Sequence, residues 1–121
     1  MDAEKTKVAF FIERKRRYVP RGCGSTPGYA PREVTAVFVE SGNYDMKNCY
    51  VHNEQHCTCS VEWVSDSLRP ATIEEYKPLM DELEKQVGYN LEVIDAGWWI
   101  EKAMENFRTI MAYYSGTVNV A

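Results

Sequence analysis

The chain has 121 residues, 45% apolar and 26% charged, which suits one globular domain over residues 1–121 and excludes a chain disordered throughout. No apolar run approaches the roughly 20 residues of a membrane helix, and the charged start Met1-Asp2-Ala3-Glu4-Lys5 lacks an apolar signal core, so a cytoplasmic protein with no membrane contact is expected. The net charge of −4 argues against general nucleic-acid binding, but its distribution is uneven: residues 14–32 carry +6 and no acid, leaving −10 on the rest of the chain.

Lys7 to Glu13 is short, aromatic-rich and ends in charge, which predicts a strand. The next segment, Arg14 to Arg32, holds three prolines and three glycines and is expected to be a flexible basic loop. It contains Arg14, Lys15, Arg16, Arg17, Arg21 and Arg32. One reading is a solvated loop; the other is a local anion site, if the segment folds onto a pocket. Within it, Arg21-Gly22-Cys23-Gly24-Ser25-Thr26 offers glycine N–H groups and side-chain donors to an anion. It lacks the Lys-Ser/Thr of a P-loop.

Glu33 to Glu40 predicts a second strand, apolar on both faces and therefore central in a sheet. Ser41-Gly42-Asn43 supplies a turn, and Met46 to His52 a third strand, giving an antiparallel hairpin. Asn53 to Cys59 reads as a polar segment. Ser60 is placed to cap a short helix containing Val61, Trp63 and Val64. Thr72 and Glu75 have capping-box spacing, followed by Ile73, Tyr76, Leu79, Met80, Leu83 and Val87 at helical spacing, with Gly88 as a left-handed stop. Asn90 to Asp95 predicts a further strand. A last helix starts at Asp95 or Gly97, with an apolar stripe from Ile100 to Tyr114, and stops at Ser115-Gly116. That stripe, with Trp98 and Trp99, suits either the core or a subunit interface. The expected fold is α+β: a small antiparallel or mixed sheet of about four strands with two main helices packed on one face.

Three groups of residues carry possible chemistry. His52 and His56 are the two histidines of the chain and have the spacing of the histidine half of many zinc sites. Cys57 and Cys59 would complete a tetrahedral set with Cys49 in reserve, although Cys-x-Cys departs from the usual Cys-x2-Cys knuckle. The other reading is that these side chains simply pack at the sheet edge. The four cysteines do not form a disulfide framework, and no nucleophile signature of an enzyme accompanies them. Arg69, just before a helix N-terminus, suits a phosphate or carboxylate, or else pairs with Glu62, Asp66 or Glu75.

From Cys49 onward the order Cys49-Tyr50-Val51-His52, Gln55-His56, Cys59-Ser60, Arg69-Pro70-Ala71-Thr72, Glu74-Glu75-Tyr76 and Gly88-Tyr89-Asn90-Leu91-Glu92-Val93 resembles a group of small proteins encoded by bacteriophages and prophages. The likeness spans about residues 33–95. Glu54 stands where that group carries glycine, and the last helix has no counterpart. The resemblance implies a setting in the host cytoplasm, where phage accessory proteins blunt host defence. Some of them resemble oligomeric sponges that sequester nucleotide immune signals.

The expectation is thus a non-enzymatic, homo-oligomeric protein without a cofactor that binds a small phosphorylated or nucleotide ligand. Arg16, Arg17, Arg21, Ser25, Tyr29, His52, Gln55, His56 and Arg69 are the candidate binding residues, and Tyr18, Tyr50 and Trp63 are further stacking candidates. The alternatives are a protein-binding inhibitor of a host defence factor and a zinc-stabilised module built on His52, His56, Cys57 and Cys59.

Overall fold

A computed structural model describes residues 4–16, 18–19, 28–29 and 31–116. Its centre is a six-stranded mixed sheet. Strand β1 (Thr6–Glu13) pairs antiparallel with β4 (Val34–Phe38), which pairs with β5 (Met46–Val51), which pairs with the edge strand β6 (Gln55–Ser60). The other edge of β1 is shared. Its C-terminal half pairs antiparallel with β7 (Leu68–Pro70), and its N-terminal half pairs parallel with β8 (Leu91–Val93). A separate ribbon pairs β2 (Tyr18–Val19) with β3 (Gly28–Tyr29), so part of the segment expected to be a loop is strand.

Three helices cover the sheet: α1 (Val61–Ser67), α2 (Ile73–Glu82) and α3 (Ala96–Ser115). The α+β class is as expected, but the sheet is larger than four strands and the helices lie on both faces. Successive residues of β1 explain why. Val8 and Phe10 pack with Leu79 and Leu83 on one side, while Ala9 and Phe11 pack with Val64, Trp99 and Ile100 on the other. Phe10 stacks on Tyr76 of α2 at 4.4 Å, and Phe11 meets Trp99 of α3 edge-on at 5.9 Å. Side chains alternate along a strand, so a strand apolar on both faces needs a layer on each. Burying each of these phenylalanines contributes about 2 kcal/mol.

The helix ends follow the capping residues. Ser60 accepts the Trp63 N–H, Thr72 and Glu75 form a reciprocal capping box, and Asp95 accepts the Trp98 N–H. One turn of π-helix, Leu83–Val87, extends α2 and ends at Gly88, whose φ of 97° is left-handed. No described helix is long and apolar enough to cross a membrane.

Two strands differ from expectation. Polar Asn53 to Cys59 contributes most of β6, and Arg69-Pro70 lies in β7. Both are edge strands, which need only one buried face and tolerate proline. The turn between β5 and β6 places Gln55, not Glu54, in the left-handed region (φ 59°). A non-glycine at 54 is therefore compatible with this turn.

Candidate functional site

The basic segment leaves the sheet at the end of β1 and returns at the start of β4, and both ends are tied together. The Glu33 N–H donates to the Glu13 carboxylate at 3.0 Å, and the Glu13 N–H donates to the Glu33 carbonyl at 3.2 Å. A cleft opens on either side of this junction.

The first cleft, about 470 Å³, lies between the junction and α1. It is lined by Arg14, Lys15, Thr35, Trp63 and Asp66 among others. The Arg14 backbone N–H donates to the Ser67 carbonyl at 3.0 Å, and its guanidinium reaches the Ser65 carbonyl at 3.2 Å, which fixes the segment against the helix. Trp63 is 44% exposed although it stands in the first turns of a helix whose Val61 and Val64 are buried. The cleft thus combines a part-exposed indole, two cations, the hydroxyl residues Thr35 and Ser67 and the carboxylates of Glu13, Glu33 and Asp66.

The second cleft, about 420 Å³, lies between the same junction and α2, and Arg32, Val34, His52, Asn53, Leu79 and Glu82 contribute to it. Its polar wall is internally paired. Glu82 accepts the Tyr50 hydroxyl at 2.5 Å and lies 2.5 Å from His52 Nδ1. The Tyr50 hydroxyl beside it holds the Glu82 carboxyl below the usual range, and the carboxylate in turn pushes the Tyr50 phenol up to about 12.

The structure disperses the residues singled out from the sequence. Arg17, Arg21 and Ser25 lie outside the described residues, as does Cys23; Tyr29 is a position of the β2–β3 ribbon. Arg16 is exposed just past the first cleft, and Gln55 is exposed at the β5–β6 turn. His52 faces the second cleft. His56 lies on the sheet face covered by α2, its Nε2 2.9 Å from the Tyr89 hydroxyl and its ring edge-on to Tyr50 at 5.1 Å. Arg69 is committed to Glu75 through two hydrogen bonds of 2.9 and 2.8 Å, the pairing that competes with an anion role. The guanidinium holds Glu75 down at about 2. Tyr50 is buried and bonded to Glu82, which removes it as a stacking surface.

The zinc set is not assembled. Neighbouring strand residues point to opposite faces, so His56 turns toward Phe38 and Tyr89 while Cys57 and Cys59 join Cys49 on the other side. Among the described residues no group of three or more histidine, cysteine or acidic side chains is arranged to hold a metal ion.

Arg14, Lys15 and Asp66 were not among the candidate binding residues. The basic run made the two cations visible, but their place beside Trp63 depends on β7 pairing with the end of β1. Glu82 was not a candidate either, because it occupies a polar position of an otherwise ordinary helix.

No protein-family model matches the chain, and no curated protein or solved structure does either.

Proposed function

We propose that this chain is a non-enzymatic binding protein for a small phosphorylated ligand of the nucleotide class, held in the cleft between the root of the basic segment and α1. The observation that carries the reading is the exposed Trp63 sharing one cleft with Arg14 and Lys15. An indole face offers stacking to any base, and the two cations offer charge-assisted hydrogen bonds to phosphate. Asp66 and Glu33 are acceptors for sugar hydroxyls or base N–H groups. A volume of about 470 Å³ lies within the range of small-molecule sites. Arg16, Arg17 and Arg21 continue the same positive stretch of sequence. The resemblance of residues 33–95 to phage and prophage proteins supports a role in the host cytoplasm, where sequestering a nucleotide immune signal is the corresponding activity.

Native mass spectrometry of the chain purified from cells, before and after denaturation, tests this reading. A phosphorylated passenger of nucleotide size supports it. A tightly held passenger without phosphate contradicts it.

A second reading, contact with another polypeptide, is favoured by α3. Its last turns expose Met111, Tyr113 and Tyr114, and within the helix only Met104 is buried. A second copy of the chain on this face would give the homo-oligomer expected of a sponge. Sedimentation of the chain alone separates that arrangement from a monomer that needs a different protein.

A further inference from the structure

Cys49, Cys57 and Cys59 lie on one face of the β5–β6 hairpin, away from both clefts. Cys49 and Cys57 are direct cross-strand partners, and their Sγ atoms are 2.8 Å apart. Cys59 lies two residues along the same strand, so its side chain shares that face. Cys49 and Cys59 are buried, whereas Cys57 is half-buried on the edge strand. Opposed residues of an antiparallel pair have Cα atoms about 4.5 to 5.5 Å apart, inside the range a disulfide spans. No register shift or strand separation is needed to join these two.

We propose that Cys49 and Cys57 form a dithiol redox site that is oxidised by a small-molecule disulfide. The half-buried position gives Cys57 the first step. Its thiolate attacks one sulfur of the small disulfide RSSR. A Cys57–SR bond forms, the RS–SR bond breaks, and the first RS⁻ leaves and takes up the proton Cys57 lost. Cys49 Sγ then attacks Cys57 Sγ and gives up its proton. The Cys57–SR bond breaks, and the second RS⁻ leaves and takes up that proton. Two protein thiols are oxidised and one small disulfide is reduced to two thiols.

The neighbouring Cys59 and burial push the Cys49 thiol up, and Cys49 in turn holds the Cys59 thiol below its ordinary value. Burial pushes Cys57 up to about 12, which lowers its thiolate fraction and slows the first step.

The test uses the full chain incubated with oxidised glutathione, trapped with an alkylating agent, denatured and cut after glutamate. Cleavage after Glu54 separates Cys49, in residues 41–54, from Cys57 and Cys59, in residues 55–62. The expected result is that the two peptides remain linked and that fragmentation places the alkyl group on Cys59 and the bridge on Cys57. Linkage should persist in Cys59→Ser and be lost in Cys57→Ser. Alkylated Cys49 throughout, at saturating oxidised glutathione, would overturn the proposal. So would a bridge from Cys49 to Cys59 with Cys57 alkylated. Both readings come from the unmodified chain, so the test does not depend on a variant folding.

Discussion

The Tyr50 hydroxyl donates to the Glu82 carboxylate at 2.5 Å, joining the C-terminal end of β5 to the last turn of α2. The same carboxylate meets His52, so one side chain both seats the helix on the sheet and orients the wall of the second cleft. Tyr50→Phe leaves a carboxylate with 13% side-chain exposure without its best donor. The expected cost is about 2 kcal/mol, the range for a hydrogen bond to a charged group, read as a lower urea midpoint at unchanged slope. In the unmodified protein one tyrosine should ionise near pH 12 in an absorbance titration, and that component should vanish in the variant.

The Arg69–Glu75 pair predicts a particular acid response. Glu75 titrates near 2 when folded and near 4.5 when unpaired. Its contribution is complete above the higher value and is lost as pH falls through the lower one. Arg69→Ala should therefore cost about 1 kcal/mol at neutral pH, and the two proteins should converge in stability as pH approaches 2. Thermal melts from pH 7 down to pH 2 check this. A constant difference across that range would mean that Arg69 contributes packing and not charge.

Two glycines separate conformational strain from steric exclusion. Gly88 has φ 97° with open space where a Cβ would stand, whereas Gly42 has φ 68° and a Cβ there would come within 2.0 Å of the Met46 carbonyl oxygen. Gly88→Ala should cost about 1 kcal/mol, the usual penalty for a left-handed position. Gly42→Ala should cost clearly more, because the turn joining β4 to β5 has to open. Equal losses in chemical denaturation would contradict the turn geometry.

Much of this architecture is legible in local chemistry. Ser60, Thr72 with Glu75, Asp95 and Gly88 each mark a helix end, because capping depends on neighbours within three residues. The apolar residues on both faces of Val34–Phe38 mark a central strand, whereas the expected single helix layer is overturned, because such a strand needs cover on both sides. Long-range pairing is another matter. Nothing in Gln55–Ser60 or Leu68–Pro70 distinguishes an edge strand from a polar connection, since hydrogen bonding to β5 and to β1 supplies what composition does not. The candidate site suffers from the same limit. His52 and His56 are four residues apart, yet a turn and a strand intervene and the two rings serve different clusters. Arg14 and Lys15 are far from Trp63 in sequence, yet all three share one cleft.

Leu83 tests whether the π-helical turn is part of the core. Its side chain is fully buried against Val8, Phe10 and Tyr50, and its carbonyl accepts the N–H groups of Gly88 and Tyr89. Leu83→Ala should lose about 3 kcal/mol, seen as a lower denaturation midpoint. Leu83→Met should lose less than half of that. A loss near that of an exposed site would place the turn outside the cooperative unit.

The measurement that bears most directly on the ligand cleft is calorimetric titration with a panel of linear and cyclic nucleotides and the matching nucleosides. It compares the unmodified chain with Trp63→Ala and with Arg14→Ala/Lys15→Ala. Trp63, Arg14 and Lys15 are exposed, so neither variant should unfold the protein. The account predicts saturable binding of at least one nucleotide, no binding of its nucleoside, and at least a tenfold loss of affinity in each variant, about 1.4 kcal/mol. Binding that is unchanged in both variants, or equal for nucleotide and nucleoside, would contradict it.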